Sequence, residues 1–266
     1  MARGNNGNAL QHFVELTAAD LLLREAAQLR LLCTHSMAPA EALVVPERES
    51  RDGKNRWLTE LLAGEGTTLL HDALRGVGAS RSDYPNSARL LSWFASTRGR
   101  SLRAKLCEFE PATYAALEAR WGRDPAFCLV HGSWREAEPL LPGDGAWLWT
   151  MDPYTFVPGA RCGGGDVCDG DLELVARWLR EWTGPGAWLL FCYSMDRARA
   201  AAFRAAVTSL GAACGFEAGF AGAQRDEQTA HFCGLLSRSP GLVSEIVAQT
   251  QRAAGEVWRG TDWIDA

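Results

Sequence analysis

The residues Asp152-Pro153-Tyr154 close an apolar run, Ala146-Trp147-Leu148-Trp149-Thr150-Met151, and that order of types can do chemistry. A run of strand length, stopped by a proline that cannot donate to a ladder, predicts a buried parallel strand delivering Asp152 to the sheet's carboxyl edge. Open α/β sheets bind their ligands at that edge. A carboxylate acceptor, a proline-fixed carbonyl and a flat ring placed there can hold an amino group on a planar substrate. A plainer alternative stays open, because Asp-Pro is also an ordinary exit from a core strand.

The rest of the chain must supply the sheet that positions Asp152. Leu10 to Arg30 carries apolar residues at helical spacing and runs into Leu29–Cys33, a first strand that turns at Thr34-His35-Ser36-Met37-Ala38-Pro39. From Pro46 to Pro85 the composition shifts toward charge and glycine, with short amphipathic helices around Trp57–Leu62 and Leu69–Leu74, so 46–86 reads as a helical insertion rather than sheet. Helix candidates follow at 88–96, 112–121, 172–182 and 197–210, and strand candidates at 102–109, 126–130, 187–193, 213–220 and 231–237. This alternation predicts one domain over 1–266 with a mostly parallel, doubly wound sheet.

Composition narrows the function classes. The chain has 266 residues, 47% hydrophobic and 22% charged, enough for a full core. A net charge of -5 argues against a broad phosphate-binding face. The eight cysteines are scattered, and Cys33, Cys107, Cys128, Cys192 and Cys233 lie in apolar runs, which reads as reduced core residues. The five histidines lack zinc-ligand spacing, so no metal is expected. With no signal pattern and no apolar stretch of membrane length, the expectation is a cytoplasmic protein without a membrane partner.

A set of short motifs, in order, resembles one family. Gly4-Asn5-Asn6-Gly7-Asn8-Ala9-Leu10-Gln11-His12 is similar to an opening G-N-H-A-D-V-L-K-H. Thr34 to Pro39 falls on T-H-A-G-A-G, and Tyr84-Pro85-Asn86-Ser87-Ala88 on Y-P-G-S-P. Cys107-Glu108-Phe109-Glu110-Pro111 falls on T-E-L-H-P, Val130-His131-Gly132-Ser133-Trp134 on A-D-G-F, and Asp152-Pro153-Tyr154 on D-P-P-Y. The chain thus resembles the RlmJ-like S-adenosylmethionine-dependent methyltransferases, which modify the exocyclic amine of an adenine in ribosomal RNA. The resemblance implies a class I methyltransferase, Rossmann-like fold and S-adenosylmethionine as cofactor. It places His12, His35, Ser87, Glu108, His131, Gly132 and Asp152 around that cofactor, with Asp152 and Tyr154 catalytic. Asn5, Trp57, Trp134, Pro153 and Tyr154 would meet the substrate.

Two of these assignments keep an alternative on chemical grounds. Glu108 at a strand end suits a pair of ribose hydroxyls, and equally the start of the following helix. Trp57 and Trp134 suit a pocket for a planar molecule, and equally packing beneath a loop. The departures from the family bear on function. Met37 and Pro39 stand where glycines would let backbone approach a ligand, His131 replaces an acid, Gln11 replaces a lysine, and one proline is missing before Tyr154. Together with the acidic balance, they turn the expectation from RNA toward a small planar substrate, of the kind found in specialised biosynthesis, bearing an amine or another nucleophile. The rivals are retained RNA chemistry and a binding protein that has lost its cofactor site, the latter signalled by a cleft filled by Met37. The Gly-rich segment Cys162–Cys168 reads as a lid or substrate loop that does not open a helix directly, and Gln224–His231 as a charged loop.

Overall fold

A computed structural model describes residues 6–41, 61–64, 66–137, 143–159, 161, 165–224 and 230–253. Asn5 and Trp57 lie outside them, as do 162–164 of the Gly-rich segment and 225–229 of the charged loop.

The chain opens with helix α1 (Asn6–Leu23), followed by strands β1 (Gln28–Cys33) and β2 (Ala40–Glu41). Helix α2 (Leu69–Gly76), strand β3 (Tyr84–Pro85), helix α3 (Ser87–Thr97), strand β4 (Ser101–Glu108), helix α4 (Pro111–Trp121) and strand β5 (Phe127–His131) come next. After them lie strands β6 (Ala146–Met151), β7 (Phe156–Val157) and β8 (Val167–Cys168), and helix α5 (Asp169–Glu181). Strand β9 (Gly186–Met195), helix α6 (Arg197–Cys214), strands β10 (Glu217–Gln224) and β11 (Ala230–Ser237) and helix α7 (Leu242–Ala253) complete it.

Seven strands form the main sheet in the order β10-β11-β9-β6-β1-β4-β5. Pairing is parallel from β5 through β9, and β11 runs antiparallel to both of its neighbours. This is the doubly wound, mostly parallel sheet of the class I methyltransferase, Rossmann-like fold. The chain runs outward from β1 through β4 to β5, then returns across β1 to lay down β6 and β9. The direction of winding therefore reverses between β1 and β6, at a topological switch point where such sheets bind ligands.

The period-2 alternation of strand side chains sorts the core into two layers. Ala146 and Leu148 of β6 face the layer built with α1, α3 and α7. Trp147, Trp149 and Met151 face the other layer with α5 and α6, where Trp149 lies 5.4 Å from Trp178 and Trp147 lies 4.4 Å from Trp182. Thr150 falls on the α1 side by the same alternation. Residues 8–19 of α1 are all buried, since α1 is covered by the sheet, α3 and α7.

Local chemistry sets the helix starts. The Asn86 side chain caps α3 by accepting from Arg89 N at 3.0 Å, Glu110 caps α4 ahead of Pro111, and Asp196 caps α6. Gly215, at φ 71, ends α6 in the left-handed region that only glycine enters at no steric cost.

Several sequence expectations need correction. Val167–Cys168 is not loop but a buried strand paired in parallel with Phe156–Val157, and it leads straight into α5 at Asp169, three residues before the expected start. Asp171 explains the early start, because its carboxylate accepts from Cys168 N at 3.2 Å and closes the first turn. Ala213 belongs to α6 rather than to the following strand, and α7 was not foreseen. Tyr84–Pro85 pairs with Ala40–Glu41 as a small antiparallel ladder where only helix was expected. Cys128 is exposed because β5 is an edge strand, whereas Cys33, Cys107, Cys192 and Cys233 are buried.

Candidate functional site

The carboxyl ends of β1, β4, β5 and β6 form one rim, tied by backbone hydrogen bonds between neighbouring exits. Thr34 N donates to Thr150 O at 3.1 Å, Ser36 N to Cys107 O at 3.1 Å and Gly132 N to Glu108 O at 3.0 Å. The rim thus gathers His35, Glu108, His131, Gly132 and Asp152 from separate stretches of sequence. His12 and Ser87 stand nearby on α1 and at the start of α3.

Each of these side chains has a defined setting. Thr34 Oγ1 lies 2.8 Å from Nδ1 of His35, and burial with the Arg135 charge nearby holds His35 down at about 3, so its imidazole is neutral at pH 7. Glu108 accepts from Glu110 N at 2.8 Å. Both alternatives for this acid therefore keep support, since it steadies the turn into α4 while its carboxylate stands at the end of β4. His131 is exposed and stacks on Tyr114 with ring centroids 4.5 Å apart. His12 is buried, with Nδ1 2.9 Å from the Tyr84 hydroxyl, and desolvation holds it neutral, with its pKa lowered to about 3. Ser87 accepts from Gln11 Nε2 at 3.3 Å.

Asp152, like His12 with its buried Nε2, has a buried atom without a partner among the described residues. Its Oδ1 is buried with no hydrogen-bond partner among the described residues, and burial raises its pKa to about 7, partly offset by Tyr193 and Gln11. A buried carboxylate oxygen left without a partner is costly, so this oxygen is open to a donor. Pro153 is buried and Tyr154 is 74% exposed. Phe109, one residue beyond Glu108, is 55% exposed. These two are the large hydrophobics exposed among the described residues, and both stand at the carboxyl edge.

Trp134 answers to its packing alternative. It is 3% exposed and edge-on to Trp178 of α5.

The sequence named His12 and its neighbours Asn8 and Gln11 by resemblance, but not Glu15 or the layer of polar groups they form together. Asn8, Gln11, His12 and Glu15 recur at i, i+3, i+4 and i+7 on α1, and all are buried. Gln11 Nε2 donates to Glu15 Oε1 at 3.2 Å, Thr150 Oγ1 donates to the same oxygen at 2.6 Å, and the Tyr193 hydroxyl donates to Gln11 Oε1 at 3.2 Å. A polar stripe at helical spacing in an otherwise apolar helix is the signal that marks it.

The cofactor implied by the resemblance can be tested against donors and space. The donors fit: a carboxylate ends β4, hydroxyl and amide groups surround the start of α3, and Asp152 offers an unsatisfied oxygen. The space is tight. Gln11, Cys33, His35, Ser36, Met37, Asn86, Ser87 and Ala88 line a cleft of ≈ 10 Å³, room for about one water. Asn8 Nδ2 donates to Met37 Sδ at 3.6 Å, and Asn86 Nδ2 donates to Met37 O at 2.8 Å. Met37 forms one wall of this cleft, between the exit of β1 and the start of α3.

No metal-holding group of His, Cys, Asp or Glu occurs among the described residues, and none of their helices is long and apolar enough to cross a membrane.

No family model and no curated protein matches the chain. Among solved structures, it is similar to protein LPL1258 from Legionella pneumophila, of the family model DUF519, with a TM-score of 0.59 at 18% identity over 92% of this chain and 91% of that one. It is more remotely similar to an rRNA methylase from Streptococcus thermophilus, with a TM-score of 0.46 at 10% identity over 85% and 95% of the two chains. The mitomycin 7-O-methyltransferase MmcR gives a TM-score of 0.37 at 14% identity over 86% of this chain and 54% of that one. At these identities the likeness to LPL1258 is one of fold, carried independently by the strand order described above.

Proposed function

We propose that this chain is an S-adenosylmethionine-dependent methyltransferase related to the RlmJ-like family, acting on an amine of a small planar molecule. The observation that carries this reading is Asp152, a half-buried carboxylate with one buried, unsatisfied oxygen at the topological switch point, beside the exposed ring of Tyr154. When bound, S-adenosylmethionine supplies an activated methyl group. Glu108, His35, Ser87, His131 and Gly132 are the residues to hold it, with His12 bracing this wall from behind through Tyr84. Asp152 accepts a hydrogen bond from the substrate amine and so aims the nitrogen lone pair, with Pro153 fixing the backbone that carries it. Proximity and alignment of that kind supply a large part of a transfer rate. Tyr154 and Phe109 offer flat apolar surface for a planar ring. The net charge of -5 favours a small molecule over an RNA backbone.

The test is thermal melting with S-adenosylmethionine and with S-adenosylhomocysteine. A ligand at 100 times its dissociation constant adds about 2.7 kcal/mol, or roughly 5 to 10 °C for a chain of this size. No shift with either ligand at millimolar concentration rejects the reading.

The narrow cleft at Met37 favours a second reading, a binding protein that keeps the fold without the cofactor. That reading expects no shift in the native chain and none after Met37→Ala.

A further inference from the structure

The mechanism proposed for Asp152 leaves Glu15 idle, although Glu15 is 1% exposed, acidic and near enough for its charge to act on Asp152. Thr150 of β6 reaches Glu15 of α1, and Asp152, just past the end of β6, meets Gln11 of the same helix. The Thr150 hydroxyl grips Glu15 at 2.6 Å, which holds the Glu15 carboxylate beneath the exit of β6. Gln11 spans the same space, donating to Glu15 and accepting from Tyr193, the residue of β9 that flanks Asp152. Independently of this network, Glu15 Oε2 and Asp152 Oδ1 are each buried with no partner among the described residues.

The surroundings supply no positive charge among the described residues. Facing the two acids are His12 of α1, Cys33 of β1, Tyr84 of β3, Cys192 and Tyr193 of β9, and Cys233 of β11, while His231 packs edge-on against Tyr193. His12 is held neutral by its burial. No ion pair joins either carboxylate to a lysine or arginine among the described residues. Two neighbouring carboxylates with buried oxygens and no cation cannot both ionise cheaply, and their protons come off in steps that belong to the pair.

We propose that Glu15 is a positioning residue that shares one proton with Asp152, so that the pair presents a single negative charge to a substrate carrying a protonated amine. An ammonium group entering the site transfers a proton to the ionised carboxylate. One N–H bond breaks, one O–H bond forms, and the electron pair stays on nitrogen, which becomes the nucleophile the reaction needs. This names the substrate class for the proposed role of Asp152 and rests on that role. Burial supports the assignment, holding both groups up at about 7.

The test is carboxyl-carbon NMR titration of the ligand-free protein labelled at aspartate and glutamate, with Asp152 assigned by its loss in Asp152→Asn. Glu15→Gln removes the shared charge while keeping an acceptor for Thr150, and the Asp152 midpoint should fall by about one pH unit or more. Thr150→Val weakens only the ionised form of Glu15, leaving the proton there to higher pH, and should also lower the Asp152 midpoint. Asp152 titrating alike in the native chain and in both variants overturns the proposal, because a merely structural Glu15 would not move that midpoint. No cofactor enters this measurement, so its failure is distinct from failure of the melting test.

Discussion

Asn86 holds two structures at once: its Oδ1 accepts from Arg89 N at 3.0 Å to start α3, and its Nδ2 donates to Met37 O at 2.8 Å to pin the loop after β1. One side chain thereby couples the wall of the cleft to the residue that narrows it. Asn86→Asp keeps the cap and loses the donor, whereas Asn86→Ala loses both. The cap is worth about 1 kcal/mol, so thermal melting should show Asn86→Ala less stable than Asn86→Asp by about that much. The aspartate variant should gain affinity for S-adenosylmethionine because its loop opens more readily. Equal affinity for variant and native chain would mean that the pin does not govern entry.

Met37→Ala tests the same cleft from the other side. Removing the thioether vacates the space next to Asn8 and Ser87, and its contact with the Asn8 amide is a weak one to lose. The expected result is a larger melting shift with S-adenosylmethionine than the native chain gives. A shift absent in both proteins favours the non-catalytic reading.

Glu108→Gln keeps the acceptor for Glu110 N and removes the charge at the end of β4. If this acid binds ribose hydroxyls, calorimetry should show cofactor affinity reduced roughly 10- to 100-fold, the range for a lost hydrogen bond to a charged group. Stability should change little. Unchanged affinity assigns Glu108 to the turn into α4 alone.

Asp171 joins the site's outer wall to α5. Its two oxygens accept from Arg135 Nε at 2.6 Å and Nη2 at 2.8 Å, and one also accepts from Cys168 N at 3.2 Å. Asp171→Ala loses the first-turn contact of α5 and takes the carboxylate from a guanidinium that is itself partly exposed and keeps its bond to Asp166 O. With that exposure discounted, the loss should be about 2 to 4 kcal/mol. For a chain of this size the melting point falls by roughly 5 to 15 °C. A fall of only a degree or two would show that solvent replaces Asp171 as the partner of Arg135.

The parts of this molecule legible in the sequence are those governed by local rules. The run ending at Met151, stopped by Pro153, gave both the central strand and the position of Asp152. The alternation of strands and helices gave the doubly wound sheet. What stayed hidden depends on residues far apart in sequence. Glu15 and Thr150, 135 positions apart, meet only because β6 is laid beneath α1 after the chain has crossed back over β1. Trp134, beside a motif, looked as suitable for a pocket as for packing, and only its contact with Trp178 separates the two. Gly-rich composition concealed the strand Val167–Cys168, whose order comes from Asp171 and from pairing with β7, and Ala213 followed α6 because its stop is Gly215.

The dependence of stability on pH separates the buried acids from the buried imidazoles. Glu15 and Asp152 have folded values raised to about 7 against ordinary values of 4.5 and 3.8, so between those limits the folded chain binds more protons than the unfolded one. Stability from these acids is full below about 4 and falls as pH rises toward 7. His12 and His35 act oppositely. Both are lowered from 6.5 to about 3, so their contribution is full above 6.5 and is lost as pH falls toward 3. In the native chain the two slopes offset each other between about 4.5 and 6.5, where all four groups contribute. Glu15→Gln removes one acid and, through the shared proton, lowers the other. Denaturant unfolding at a series of pH values should then show the stability of the variant relative to the native chain rising steadily from about pH 4.5 to 7. The full gain should be on the order of 3 kcal/mol, since a tenfold change in proton affinity corresponds to about 1.4 kcal/mol. A difference that stays constant across this window would mean that Glu15 carries no raised value, and the proton assigned to the pair would be lost with it.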